Sequence, residues 1–148
     1  MSDEDAQLIL KNGSSGVLAL LGDDDYPYAV PLSYVYTGDR IIFHGAKSGH
    51  KFDAIKKHPK ASFCVIGKDH VIPEEYTTYY KSVIVFGKMR IIEDEEEILE
   101  TVRTLALKYR NEDDDILEKA IKRELAPLCM FCMDIEHITG KMAKELTK

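Results

Sequence analysis

The sequence predicts a mainly β domain, a small antiparallel barrel with helices attached. Two observations carry that expectation. Short apolar or alternating runs, punctuated by glycine, proline and aspartate, fill the first 92 residues, and another, CMFCMDI, comes late in the chain. The connections between these runs are mostly short and hairpin-like, without the regular strand–helix alternation of a doubly wound parallel sheet. A length of 148 residues, 45% hydrophobic and 31% charged, suits one domain with its own core. Residues 1–148 are therefore read as a single unit with a helical insertion over about residues 94–125.

The acids of DEDAQLILKNG crowd a first helical turn, where the helix dipole favours them, and Gly13 stops that helix. GVLALLG reads as a buried strand and DDDYP as a turn. YAVPLSYVYTGDRIIFHGA reads as two strands around Thr37-Gly38-Asp39. Pro31 sits inside the first of them, and a residue without an N–H puts that strand at an edge or at a bulge. KFDAIKKHP is a helix with Phe52, Ile55 and Lys56 on one side, closed by Pro59, and ASFCVIG is a further strand. HVIPEEYTTYY reads as irregular; its Tyr76, Tyr79 and Tyr80 could line a ligand pocket, though loop aromatics more often pack on the core. KSVIVFGKMRIIED is a long strand in which Gly87 suggests a bulge. Helical periodicity covers 94–110, with Ile98, Val102, Leu105 and Tyr109 on one side. It covers 114–125 again, with Ile116, Leu117, Ile121 and Leu125, before Pro127. After the last core strand the tail HITGKMAKELTK is polar and mixed.

A formal net charge of −6 makes nucleic acid a poor partner, because phosphate backbones need a basic face. Nine of the carboxylates fall in two runs, Glu93 to Glu97 and Glu112 to Asp115, which read as solvated helix starts and loops. No apolar run approaches the roughly 18 residues that span a membrane. MSDEDAQLIL lacks the basic and long apolar regions of a signal peptide, and with three cysteines this favours a reducing cytoplasm. Cys129 and Cys132 form a C-x-x-C inside a strand. Strand positions three apart face opposite sides, and no second pair completes a zinc site, so both read as core residues.

One stretch stands apart. Residues 43–51, FHGAKSGHK, set two glycines, a serine, two histidines and two lysines at a strand-to-helix junction. Gly45, Ala46 and Gly49 allow close approach of the backbone, and a helix N-terminus offers free N–H donors and a partial positive charge. With Ser48 and the cations Lys47, His50 and Lys51, these make an anion site for which a phosphate monoester is the natural guest. Composition alone equally allows a solvated loop whose lysines serve solubility. This is not a Walker loop, since Phe52 follows the lysine. His58, His70 and His137 lack metal-ligand spacing, and no G-x-S-x-G or G-x-G-x-x-G occurs. By spacing alone Lys81 and Ser82 read as strand-start residues.

YPYAVPLSYVY, GDRIIFHGAKSGHKFDAIKKHPKASFCV, YYKSVIVFGKMRIIED and the late HITGK together cover roughly residues 8–141. On these motifs the chain resembles the pyridoxamine 5′-phosphate oxidase-like, FMN-binding split-barrel superfamily, nearest the branch of nitroimidazole-resistance proteins. The resemblance implies an antiparallel split β-barrel homodimer with FMN at the subunit interface. Carried over by position, Pro31, Leu32 and Ser33 would lie along the isoalloxazine ring. Phe43, His44, Gly45 and Ala46 would run beside the ring and ribityl chain. Ser48, His50 and Lys51 would hold the phosphate, and Ser82 would come from the strand that approaches the flavin. In such proteins the tail, here bearing Lys141, often reaches the partner's site. His44, near the ring, is the one candidate proton or hydrogen-bond donor.

The function implied is an FMN-dependent oxidoreductase passing electrons from reduced flavin to a small electron-poor acceptor, a nitroaromatic such as a nitroimidazole being one class. The alternatives are a flavin-binding or sensing protein without turnover, and a split barrel that takes haem or a deazaflavin. Pyridoxamine phosphate oxidation is disfavoured, because no second phosphate site is evident in the sequence.

Overall fold

The computed structural model describes residues 1–46, 48–109, 119 and 128–147. Helix α1 (Asp3–Asn12) precedes strands β1 (Ser15–Leu21), β2 (Pro27–Ser33), β3 (Val35–Tyr36) and β4 (Arg40–Ala46). Helix α2 (His50–Lys57), β5 (Lys60–Ile72), β6 (Thr77–Ile92), helix α3 (Glu95–Tyr109) and β7 (Leu128–Met142) follow. The expected helix over 114–125, apart from residue 119, lies outside the described residues, as do Pro127 and the loop residue Lys47.

The strands form one antiparallel sheet in the order β2-β1-β5-β6-β7-β4-β3. It curves around a core because each long strand alternates. Leu18 and Leu20, Phe63 and Val65, Val83 and Val85, Phe131 and Met133, and Ile41 and Phe43 all turn to the same inner side. Ala6 and Leu10 of α1 and Ala54 and Ile55 of α2 complete that cluster. The Phe63 ring meets Phe43 edge-on at 5.0 Å and Tyr34 at 4.9 Å. Full burial of each large apolar side chain contributes about 1.5–3 kcal/mol.

Two bulges bend the ladders. On β5 the pairing steps from Ile66–Ser82 to Lys68–Lys81, leaving Gly67 as the extra residue. On β7 it steps from Phe86–His137 to Gly87–Ile135, leaving Glu136 extra. The irregularity expected at Gly87 is therefore real, but the inserted residue is on the facing strand. Gly87 is required by close approach, since a Cβ there would lie 2.3 Å from the Asp134 carbonyl oxygen.

A second, smaller cluster lies on the other face of the sheet. Ile42, Ile92, Met130 and Cys132 pack there against Val102 and Leu105 of α3. Cys129 belongs to the first cluster and Cys132 to the second, so the two thiols of the C-x-x-C point to opposite faces. Burial pushes the Cys132 thiol up to about 11. The apolar stripe of α3 alone does not hold it in place. Glu97 accepts hydrogen bonds from Arg40 (2.9 Å) and Arg90 (2.8 Å), and Arg90 also reaches Asp134 (3.1 Å). At the other end of α3, Lys108 Nζ donates to the carbonyls of Gly13 and Tyr34.

Three sequence expectations are corrected. YAVPLSYVY is not one strand. It breaks at Tyr34, whose ring turns into the core, so that β2 pairs with β1 and the short β3 with β4. HVIPEEYTTYY is not irregular: β5 runs on to Ile72, a short 3₁₀ turn Pro73–Glu75 reverses the chain, and β6 starts at Thr77. Its tyrosines do not form a core patch, for Tyr76 is 98% exposed at the hairpin tip. HITGKM is the end of β7 rather than a polar tail. No helix among the described residues is long and apolar enough to cross a membrane.

Candidate functional site

The junction between β4 and α2 is built on two glycines. Gly49, the residue that caps α2, sits at φ 123°, which glycine takes without steric cost. It has no side chain to bond the first N–H groups of α2, so these stay available to solvent or a ligand. Gly45 makes room for Lys51. A Cβ at Gly45 would lie 2.8 Å from Lys51 Nζ and 3.0 Å from the Phe131 ring. The ammonium accordingly folds back over β4 and lies 5.6 Å from the Phe131 centroid.

Burial lowers the pKa of Lys51, and the Cys129 thiol acts in the opposite sense. Among the described residues no carboxylate stands within ion-pair distance of it. A cation partly withdrawn from water without a counter-ion is costly, and an anionic ligand would relieve that cost.

His50 turns another way. Its Nδ1 lies 3.4 Å from Asp23 Oδ2, and its ring meets Tyr28 edge-on at 4.5 Å. It thus anchors the start of α2 to the β1–β2 turn. Ser48 is exposed in the loop before α2.

The remaining candidates divide by the alternation of their strands. On β4, Phe43 and Gly45 face inward with Ile41, and Phe43 is wholly buried in the core. His44 and Ala46 share the opposite face with Ile42, and His44 stands across from Met130 on β7. On β2, Leu32 packs inward while Pro31 and Ser33 face out. Pro31 occupies an edge strand, as expected.

The outer face that carries Pro31 is continuous over five strands. One row of paired residues runs Pro31–Val17–Cys64–Ile84–Thr139. The next runs Ala29–Ala19–Ser62–Phe86–His137, with the Phe86 and His137 rings stacked at 6.0 Å. On the other side of the first row Ser82 pairs with Ile66 and Lys141. Ile66 is 64% and Phe86 41% exposed, so this face is apolar as well as open.

Pro31, Ser33, Ser82 and Lys141 therefore share one face, while Lys51 and Gly45 meet at the end of β4. Sequence reasoning missed Phe131, the floor beneath Lys51. LCMFCMDI gives only a core strand, and the Phe43–Phe131 pairing that seats the ring at this point is a long-range register. Asp23, the partner of His50, stands in a run of three aspartates with nothing to single it out.

A strongly curved antiparallel sheet with a helix packed inside and a glycine-bearing strand-to-helix junction defines a pyridoxamine oxidase-like split barrel. The chain belongs to the pyridoxamine 5′-phosphate oxidase family, whose model matches residues 2–142. It is similar in fold to a conserved hypothetical protein from Mycobacterium tuberculosis, with TM-score 0.84 and 16% identity over 100% of this chain and 89% of the other. A candidate 5-nitroimidazole antibiotic resistance protein from Bacteroides thetaiotaomicron VPI-5482 gives TM-score 0.78 and 16% identity, over 94% and 82%. An FAD-binding protein from Mesorhizobium loti gives TM-score 0.66 and 23% identity, over 97% and 96%. An uncharacterized Rhizobium meliloti (strain 1021) protein is 31% identical over 88 residues, 60% of this chain. The chain spans about half, 53%, of the length of that curated relative.

Proposed function

We propose that this protein is an FMN-dependent oxidoreductase, working as a homodimer with the flavin at the subunit interface. The observation that carries the reading is Lys51, a half-buried ammonium with no carboxylate within ion-pair distance among the described residues, folded over Gly45 at a helix start that has no side-chain cap. That set fits a phosphate monoester: a charge, free N–H donors and no side chain in the way. A hydrogen bond to a charged group contributes about 1.5–3 kcal/mol, so a few of them supply a large part of micromolar affinity.

The outer face supports the interface. Two strands, β1 and β5, lie between β2 and β6, so Pro31 and Ser82 stand three strand spacings apart, about 14 Å. That is more than a tricyclic ring covers, and Pro31 of one protomer with Ser82 of its partner would bracket the ring. Pairing two such faces would also withdraw Val17, Ile66 and Phe86 from water. The flavin, when bound, supplies the redox chemistry. The chain's part is to hold the phosphate with Lys51, to align the ring along Pro31 and Ser33, and to present His44 as a proton or hydrogen-bond donor. The acceptor in this reading is a small electron-poor molecule such as a nitroaromatic.

The visible spectrum of the purified protein tests this. A flavin spectrum, with FMN released on denaturation, is expected; a Soret band, or no affinity for FMN, overturns it. Anaerobic photoreduction followed by a nitroaromatic then separates enzyme from carrier. Reoxidation no faster than that of free FMN would leave a flavin-binding protein without turnover.

A further inference from the structure

A groove of about 630 Å³ lies where the end of α1 meets the β5–β6 ladder, and Lys68, Lys81, Asn12 and Ser14 line it. Ile9 and Leu146 give it an apolar wall, and no acidic side chain lines it among the described residues. This is notable in a chain of net charge −6.

The two lysines are directly paired across the strands. Opposite residues of an antiparallel pair have Cβ atoms about 5 Å apart, and like charges there repel. The bulge at Gly67 creates this pairing. Ile66 faces the outer side with Ser82, and the inserted Gly67 turns Lys68 to the face of Lys81. Gly67 in turn closes on α1, where a Cβ would lie 2.9 Å from Ile9 Cγ1. Among the described residues neither ammonium has a carboxylate within ion-pair distance. The carbonyls of Gly13 and Ser14 accept from Lys108 and Tyr109 rather than from Lys68 or Lys81.

We infer that this groove binds a small amphipathic organic anion, with its headgroup between Lys68 and Lys81 and its apolar body along Ile9 and Leu146. The inference does not rest on the flavin reading. The groove begins at Ser15, roughly 20 Å along the seven residues of β1 from the Gly22–His50 contact at the phosphate end, and it borders the proposed ring face only at its rim, where Ser15 pairs with Ser33 and Ile66 with Ser82.

The probes are 4-phenylbutyrate, its neutral isostere 4-phenylbutan-1-ol and inorganic phosphate, added to the protein as purified. Amide shifts at Ser14, Gly67, Lys68 and Lys81, and a rise in melting temperature, are expected with phenylbutyrate. The alcohol and phosphate, each carrying half of the recognition, should bind at least about tenfold more weakly. Lys68→Gln with Lys81→Gln should melt higher than the parent without ligand, since the repulsion is gone, and should lose the response to phenylbutyrate. Three results would overturn the inference: equal binding of the alcohol, equal binding of phosphate, or a double variant that keeps the parent's response. Absence of saturation at millimolar phenylbutyrate would do the same.

Discussion

Lys51 and Phe131 come from elements far apart in the sequence, yet the ammonium of one lies over the ring of the other, 5.6 Å from its centroid. Only the missing side chain of Gly45 permits the approach. Lys51→Ala is expected to weaken FMN binding by ten- to a hundredfold, the loss of one charge-assisted contact worth about 1.5–3 kcal/mol. Lys51→Met keeps the packing on Phe131 and removes only the charge. It should lose FMN equally while leaving the flavin-free protein at least as stable. Fluorescence titration of FMN measures both, and unchanged affinity in Lys51→Met would remove the phosphate assignment.

Phe86 tests the outer face. Its ring is 41% exposed and stacks on His137, so Phe86→Asp leaves the core untouched. Gel filtration should show a monomer with native circular dichroism and weakened FMN binding. A dimer that survives this charge would place the interface elsewhere.

Glu97 ties α3 to the sheet. Its hydrogen bond from Arg90, followed by that from Arg40, holds its carboxyl below the usual range. A lowered carboxylate pKa gives stability that is present at neutral pH and is lost as pH falls through the folded-state value. Glu97→Gln should cost about 1 kcal/mol at pH 7, because the pairs are partly exposed. In acid its melting temperature should converge with the parent's. A constant difference down to pH 3 would show that the loss is one of packing rather than charge.

Lys108 gives an alkaline counterpart. Burial lowers its pKa from 10.5 to about 8. Between those values the unfolded chain binds more protons than the folded one, so this group's contribution to stability rises with pH and is lost as pH falls through 8. Melting temperature should climb from pH 7.5 to 9.5 in the parent relative to Lys108→Met. Parallel curves would mean that the ammonium is not desolvated.

The sequence was most legible where pattern is local. The Pro31 edge strand, the helix stop at Gly13, the irregularity near Gly87 and the opposed cysteines all follow from alternation or from the chemistry of one residue. What stayed hidden depends on register. Nothing within VPLSYVY announces that Tyr34 breaks a strand, because its ring is buried and its amide is answered by Tyr109, 75 residues on. The hairpin tip was obscured by a proline and two glutamates that read as loop, although the Val71–Thr78 and Ile72–Thr77 pairs continue the ladder on either side. At the site, glycine spacing revealed the strand-to-helix junction, but not that Lys51 and His50 diverge to Phe131 and Asp23.

Tyr34 has a larger consequence. Among the described residues the two margins of the sheet are β2 and β3, and they are separated in the chain by this one residue. The sheet is therefore zipped shut covalently, and it cannot flatten or add strands at that seam without drawing Tyr34 out of the core. Its peptide carbonyl accepts from Lys108, and its N–H donates to the Tyr109 hydroxyl, so α3 is the clasp over the seam. Freeing α3 at its Lys108 end should loosen the barrel as a ring opens, from one point, rather than melt it strand by strand.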